Sequence, residues 1–160
     1  MYIPFEQLPP QARIWIYQSD RPFTEAESVE IQEKIKDFVT AWSAHGVALH
    51  ASGLLLHNRF IVLGTDVDAS APSGCSIDSS VQFVRTLEQD YQTSLFDRTH
   101  LAFQREGKIK TYALTEMPQA VAAGEVTPET LYFDNLVGEA GAINKDWLKP
   151  AGNSWLRKYF

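Results

Sequence analysis

Residues 47–64, VALHASGLLLHNRFIVLG, consist of two apolar runs that only His57, Asn58 and Arg59 separate. Asparagine tolerates the left-handed backbone conformation that a tight turn between two strands requires. The stretch therefore predicts a β-hairpin with strands Val47–Leu56 and Phe60–Gly64, and with its tip at the three separating residues. This hairpin predicts an antiparallel sheet as the framework of the fold.

A strand and a helix are predicted before the hairpin. Residues 13–18, RIWIYQ, are rich in aromatic and β-branched side chains, which is typical of a strand. Thr24, followed by Glu27 three residues later, predicts a helix that starts with a capping box. Four apolar side chains follow at helical spacing and predict a buried helix face: Ile31, Ile35, Phe38 and Trp42.

A second helix and a second hairpin are predicted after the first hairpin. Ser76 or Asp78 can cap this helix, whose apolar positions again fall on one face. Next in the chain, His100–Arg105 and Lys108–Ala113 are strand-like and flank Glu106-Gly107, a residue pair that favours a tight turn.

The last part of the chain predicts shorter elements and an aromatic tail. Thr115 is predicted to cap a short helix that ends near Gly124, and Leu131–Val137 is predicted to be a short strand. Asn144–Phe160 contains two tryptophans, a tyrosine and a phenylalanine. A tail with so many aromatic side chains is predicted to be docked on the protein rather than free.

The order of these elements predicts the fold class. The first six, β-α-β-β-α-β, match the βαββαβ unit of ferredoxin-like folds. We therefore predict an α+β fold, in which a mostly antiparallel sheet carries helices on one face. The second hairpin, the short helix and the docked aromatic C-terminal tail are predicted to add to this core. The length of 160 residues and the 44% of hydrophobic residues predict a single domain over residues 1–160.

Composition argues against several classes of function. The one cysteine excludes a disulfide framework and a zinc site built from cysteines. A net charge of −6 argues against nucleic acid as a partner bound through bulk charge. The opening residues, MYIPFEQLPP, lack the basic and apolar regions of a signal peptide, and no apolar run approaches the ~20 residues of a membrane helix. We therefore expect a cytoplasmic protein with no membrane partner.

Cofactor and metal motifs are not found in the sequence. A P-loop needs G-x-x-x-x-G-K-[ST], and a dinucleotide site needs G-x-G-x-x-G, but neither string occurs. Asp66 and Asp68 follow an apolar run, yet no second acidic pair at a strand end accompanies them as a magnesium site would need. His50 and His57 are seven residues apart and would point to opposite faces of a strand. We therefore expect neither a cofactor nor a metal.

The strongest chemical signal is Gly74-Cys75-Ser76-Ile77-Asp78, which places the only cysteine at or just before a predicted helix N-terminus. Free amides and the helix dipole stabilise a thiolate at that position. His57 is a candidate base, and Asp78 could orient that base or cap the helix. These three residues predict a cysteine-dependent enzyme with Cys75 as its nucleophile. The alternative is that Cys75 is a small buried hydrophobic side chain.

The same segment also predicts a binding function without covalent chemistry. Gly74, Ser76 and the hydroxyls around them make an anion cradle at the helix start. Arg59 at the hairpin tip could add a bidentate guanidinium. Because binding requires less than catalysis, we predict in the first place a small-ligand-binding or regulatory α+β domain. Its partner would be a small molecule or an anion, and the cysteine-dependent enzyme is the alternative.

Opposite charges in two segments predict self-association. Six acidic residues lie between Asp20 and Asp37, whereas the aromatic tail after Asn144 carries four lysines and arginines. Complementary charge of this kind can steer a symmetric pairing of two copies. The sequence thus predicts a homodimer, with a tail that folds back on its own chain as the alternative.

Four segments carry a resemblance to a known family that extends over nearly the whole chain. They are Pro4–Gln18 (PFEQLPPQARIWIYQ), His57–Phe60 (HNRF), Ser73–Val81 (SGCSIDSSV) and Leu95–Arg98 (LFDR). The chain resembles bacterial proteins of about this length that have no established activity and are often labelled ABC transporter ATPases. The resemblance implies a bacterial source and a single-domain architecture, and it implies no catalytic residues. Because the chain lacks both the Walker A string and the LSGGQ-type signature, we expect no ATP hydrolysis.

Overall fold

The strand and helix predicted before the hairpin are both present in a computed structural model, which describes residues 1–160. They are strand β1 (Arg13–Gln18) and helix α1 (Glu25–Ala41). The predicted capping box is confirmed, because the Thr24 hydroxyl accepts the Glu27 amide and the Glu27 carboxylate accepts the Thr24 amide. The predicted inner face of the helix is also confirmed. Ile31 and Ile35 are buried and Phe38 is half-buried, whereas Trp42 is buried directly after the helix, which ends at Ala41.

The segment from Ser43 to Thr65 contains four strands, where the sequence predicts two. A small hairpin of β2 (Ser43–Ala44) and β3 (Val47–Ala48) comes first, because His45 and Gly46 have positive φ and reverse the chain. The main hairpin follows as β4 (Ala51–Leu56) and β5 (Phe60–Thr65), paired antiparallel. Its tip is confirmed, since His57 and Asn58 have φ values of 54° and 50°.

Two helices cover one face of the first sheet. The strand order is β1-β5-β4, and helix α2 (Gly74–Tyr91) joins α1 on the face that carries Leu55, Ile61 and Leu63. Gly53 allows α1 to lie close to β4, because a Cβ at this position would collide with Ile35. All strand pairs in this sheet are antiparallel, as predicted.

A second sheet corrects the predicted ferredoxin-like βαββαβ core. Strands β6 (His100–Arg105) and β7 (Lys108–Ala113) form the predicted second hairpin around Glu106-Gly107. Strands β8 (Leu131–Phe133) and β9 (Leu148–Pro150) complete a sheet in the order β7-β6-β8-β9. A strand has only two edges, and those of β6 are taken by β7 and β8. Strand β6 therefore does not join the first sheet, which keeps three strands.

The chain divides into two compact units. The first unit comprises Met1–Phe96 and Gly138–Gly141, and the second unit comprises Asp97–Val137 and Ala142–Phe160. The α+β class is confirmed, since helices and antiparallel sheets are both present. The single domain stays a prediction, because compact units of one chain can still unfold together.

The aromatic tail belongs to the core of the second unit. Leu156 in the tail is fully buried, and Trp155 donates its indole N–H to the Tyr132 hydroxyl at 3.1 Å. Helix α3 (Met117–Ala122) contributes Met117 and Ala120 to the same core. The prediction of a docked tail is therefore confirmed. No helix combines the length and the apolar character that a membrane-spanning segment requires.

Candidate functional site

Helix α2 begins earlier than either of its predicted caps. Ser73 is the N-cap, since its hydroxyl accepts the Ser76 amide at 3.1 Å and its own amide donates to the Ser76 hydroxyl at 2.7 Å. Ser76 is therefore the second member of a capping box and is buried. Asp78 lies in the second turn, is exposed and does not cap the helix. The earlier start places Cys75 within the first turn rather than before it.

Cys75 is exposed, so the alternative of a buried cysteine is wrong. The backbone amides of Gly74 and Cys75 have no acceptor in the chain, because the capping box satisfies only the amides that follow them. Two free N–H donors thus lie at the positive end of an 18-residue helix. A Cβ at Gly74 would meet nothing within 4 Å, which shows that this turn is open to solvent.

The structure does not bring His57 to Cys75. Phe23 marks the hairpin-tip end of the first unit, since its amide donates to the Asn58 carbonyl at 2.7 Å and its ring contacts Tyr91. Tyr91 is the last residue of α2, whereas Cys75 lies in the first turn. At about 1.5 Å per residue, the helix separates these ends by roughly 25 Å. The predicted catalytic grouping is therefore wrong in this respect, since His57 cannot act as base for Cys75, nor can Asp78 orient it.

Arg59 also lies at the hairpin-tip end, away from Gly74 and Ser76. Its guanidinium donates to the backbone carbonyls of Ser19 and Asp20, at 3.1 and 3.0 Å. The residue is only 8% exposed, and burial lowers the pKa of Arg59. Arg59 therefore fixes the loop between β1 and α1, and the structure does not place it in the predicted anion site.

A network of charged groups closes the hairpin-tip end of the first unit. Arg21 binds both carboxylate oxygens of Glu27 at 2.9 Å and donates to the Tyr91 carbonyl at 2.6 Å. The hydrogen bond from Arg21, together with that from the Thr24 amide, lowers the pKa of Glu27 to about 2. The network joins the start of α1 to the end of α2. Its groups bind one another, so we assign it a structural role.

A cavity of about 260 Å³ lies at the opposite end of the first unit, beside the first turns of α2. It is lined by the end of α1, by Trp42 and Ser43 directly after that helix, and by Ser79 of α2. We call it the aromatic cavity, because Phe38 and Trp42 provide its two rings. The Trp42 indole N–H donates to the Ser76 carbonyl at 2.8 Å and so fixes that ring against α2. The lining residues are Phe38, Ala41, Trp42, Ser43 and Ser79.

Cys75 lies one helical turn before a residue of the aromatic cavity. The Ser79 hydroxyl donates to the Cys75 carbonyl at 3.0 Å, and residues four apart lie on one face of a helix. The free amides of Gly74 and Cys75 therefore lie at the same end of α2 as the cavity. The predicted helix-start residues and the aromatic cavity together form the candidate site.

Sequence reasoning assigned Phe38 and Trp42 only to the core. Both do pack there, since the Phe38 ring is 5.2 Å from the Trp42 ring and stacks on Phe83 at 4.4 Å. The signal for a cavity is the small side chains of Ala41 and Ser43, which flank Trp42 in the sequence. Two large rings next to small residues leave a space that a regular apolar stripe would fill.

The two aspartates after β5 form a turn. The Asp66 carboxylate accepts the amides of Asp68 and Ala69, and the Asp68 carboxylate accepts the Gln11 side-chain amide. No group of three or more His, Cys, Asp and Glu side chains in the chain could hold a metal ion.

Comparison with known proteins adds no assignment to this geometry. No family model matches the chain, and neither a curated protein nor a solved structure is significantly similar to it. The resemblance to a bacterial family stays a prediction. A functional proposal for this chain therefore depends on the candidate site itself.

Proposed function

We propose that the protein binds a small ligand in the aromatic cavity, and that the ligand combines a planar apolar ring with an anionic group. The observation that carries this proposal is the position of the aromatic cavity at the helix end that holds two unpaired amides. Each half of the site matches one half of such a ligand. Small-molecule sites are concave and combine apolar walls with a few polar groups, and this one combines aromatic rings with two serines beside a helix start.

The apolar half of the site is provided by the half-buried Phe38 ring and by the small part of the Trp42 ring that borders the cavity, since Trp42 is only 2% exposed. Aromatic rings prefer offset-stacked or edge-to-face contacts with another ring. A volume of about 260 Å³ suits a ligand with one or two rings. The Trp42 ring keeps a fixed orientation through its bond to Ser76, so little side-chain entropy is lost when a ligand binds.

The anionic half of the site is provided by the first turn of α2. The amides of Gly74 and Cys75 can donate to a carboxylate or phosphate, and the helix dipole favours negative charge at this end. The Arg59 guanidinium is not needed for this interaction. The proposal thus keeps the predicted anion site at the helix start, but the second contact to the ligand comes from the aromatic cavity and not from Arg59.

The cysteine-dependent enzyme remains the alternative, with fewer of its parts in place. Cys75 is exposed at the end of α2 that adjoins the cavity, but its predicted base lies at the far end of the helix. Under the binding proposal, Cys75 lies near the bound ligand, and its thiol takes part in no chemical reaction of the protein. An exposed reduced thiol suits the cytoplasm, which is the location we propose.

The proposal is tested with phenyl phosphate as probe and benzyl alcohol as its uncharged match. We expect phenyl phosphate to shift the backbone amide NMR signals of Gly74 and Cys75 and the indole signal of Trp42. Benzyl alcohol should shift only the indole signal, because it lacks the anion. A titration in which phenyl phosphate leaves all three signals unchanged at millimolar concentration would overturn the proposal.

Two variants of α2 localise the binding. Ser79→Phe places a ring in the aromatic cavity and should abolish the shifts caused by phenyl phosphate. Gln82→Phe adds the same ring at an exposed position of the same helix, outside the cavity lining, and should bind like the unchanged protein. Equal binding by both variants would show that the aromatic cavity is not the site.

A further inference from the structure

Strand β7 is an edge strand with unpaired backbone groups. The Leu114 amide donates to the Thr99 carbonyl at 2.7 Å. This bond shows which residue pairs of the β6–β7 ladder are hydrogen-bonded to each other and which are not. Antiparallel ladders alternate between bonded and non-bonded pairs, so Lys108, Lys110 and Tyr112 direct their backbone groups toward β6. Ile109 and Thr111 consequently direct their N–H and C=O groups outward. No other strand pairs with this edge.

The chain protects only one end of this edge. The outward amide of Ala113 donates to the Glu116 carboxylate at 3.3 Å, which occupies the position that a neighbouring strand would take. The outward groups of Ile109 and Thr111 have no such partner. An open run of backbone donors and acceptors is a template for an added strand.

Three cations surround the open run without an acidic partner. Arg105 lies directly opposite Lys108, and Lys110 lies two residues further along the same face. The Arg105 guanidinium donates to the Tyr112 hydroxyl at 3.2 Å and the Lys110 ammonium lies 4.9 Å from the Tyr112 ring, but none of the three cations forms an ion pair. Like charges directly opposite each other destabilise a strand pair. A bound anionic group would relieve this repulsion.

We propose that the edge of β7 is a docking surface for an acidic peptide segment that adds to the second sheet as an extended strand. The backbone of the segment would pair with Ile109 and Thr111. Side chains alternate between the two faces of a strand. Acidic side chains at every second position would therefore meet Lys108 and Lys110, and the intervening apolar side chains would lie beside Ile109.

Charge decides between this occupant and two others. A second copy of β7 added antiparallel would bring its own lysines to the lysine-bearing face, which is unfavourable. Nucleic acid supplies negative charge, but its backbone cannot continue a ladder of N–H and C=O groups. An acidic peptide satisfies both the unpaired backbone groups and the unpaired cations.

The test uses the full chain and a seven-residue peptide, capped at both ends, in which glutamate alternates with valine. We expect calorimetric binding that weakens with added salt. A matched peptide with lysine in place of glutamate should not bind. A third peptide keeps the glutamates but is N-methylated at alternate backbone amides, which removes the donors of one edge. It should lose at least about tenfold in affinity if strand pairing contributes as a hydrogen-bonded ladder.

Variants of the edge separate its two contributions. Lys108→Glu with Lys110→Glu should reduce affinity at least about tenfold, through loss of charge complementarity. Thr111→Pro removes one outward N–H without removing a bond to β6, and Thr111→Val is its matched control. Thermal unfolding of each variant verifies that it is folded.

Several outcomes would overturn the proposal. Equal affinity of the N-methylated and unmodified peptides would show that the peptide binds through charge alone and does not pair as a strand. Binding of a short single-stranded oligonucleotide in preference to the peptide would assign the surface to nucleic acid. Concentration-dependent dimerisation that Thr111→Pro abolishes and Thr111→Val retains would assign the edge to a second copy of the chain.

Discussion

The first and second units differ in how they are built and in charge. The first unit has six lysines and arginines against thirteen aspartates and glutamates, whereas the second unit has eight against seven. The first unit buries two long helices against a three-stranded sheet, and the second unit surrounds a four-stranded sheet with short helices and an aromatic tail. The first unit thus carries a net charge of −7 and the second unit +1, so the overall charge of −6 is a poor guide to the partners of the second unit.

The core of the first unit should give the largest effect on stability. Ile35→Ala opens a cavity under Gly53, where the side chain has no exposed surface, and should cost about 2–5 kcal/mol of unfolding free energy. Val29→Ala on the exposed face of the same helix should cost less than about 0.5 kcal/mol. Urea unfolding followed by circular dichroism measures both. A similar loss in the two variants would contradict the assigned faces of α1.

The same unfolding curves test the single domain. If the two units unfold as one domain, Ile35→Ala shifts every signal to the same lower midpoint, including the fluorescence of Trp155 in the second unit. A Trp155 transition that keeps its position while the helical signal moves would show two independently stable units.

The buried arginine of the first unit should give the next largest effect. Arg59→Leu leaves the Ser19 and Asp20 carbonyls without their donors and should cost about 1–3 kcal/mol. Arg105→Leu in the second unit removes a single bond to a hydroxyl at a more exposed position and should cost about 0.5 kcal/mol or less. Thermal or urea unfolding compares the pair. A larger loss from Arg105→Leu would reverse the contrast between the units.

Alkaline pH should lower the stability of the second unit. Burial raises the pKa of Tyr132 to about 12, above its ordinary value of 10.0. A raised folded-state pKa contributes stability that is fully present below pH 10 and is lost as the pH rises toward 12. Tyr132→Phe should flatten the stability curve in this range. The tyrosinate absorbance that is lost in Tyr132→Phe should titrate near pH 12, and a difference titration centred near pH 10 would contradict the prediction.

Acid pH should lower the stability of the first unit, by less than alkaline pH lowers that of the second. Hydrogen bonds from Arg21 and Thr24 lower the pKa of Glu27 from 4.5 to about 2. A lowered folded-state pKa contributes stability that is present above pH 4.5 and is lost as the pH falls toward 2. Glu27→Gln should reduce the slope of stability against pH in this window. Its effect should be small, because the ion pair is partly exposed to solvent. An unchanged slope would show that the pair does not contribute.

Local features of the fold were predictable, because short-range chemistry determines them. Thr24 with Glu27 identifies the start of α1, and Asn58 and Gly107 identify the two hairpin turns. Strand β6 was not predictable in the same way. Its sequence fits a central strand in either sheet, and the choice depends on pairing with β8, a partner distant in sequence.

The candidate site was predicted in part for the same reason. Glycine and serine before an apolar run correctly indicate a helix start, and therefore free amides near Cys75. The distance of His57 from this point depends on the direction in which α2 crosses the sheet. Long-range contacts such as that between Phe23 and Tyr91 fix this direction, and no spacing in the sequence encodes them.

The exposure of Cys75 has a practical consequence for every measurement of self-association. Two exposed thiols on separate molecules can be joined by dissolved oxygen as a disulfide, and no second cysteine in the chain competes for the reaction. A covalent pair formed during storage would run as a dimer on a non-reducing gel and scatter light as one. The predicted homodimer should therefore be measured with a reductant present or in Cys75→Ser. The same solitary thiol accepts a spin label without further mutagenesis, so distances between two copies can be measured directly.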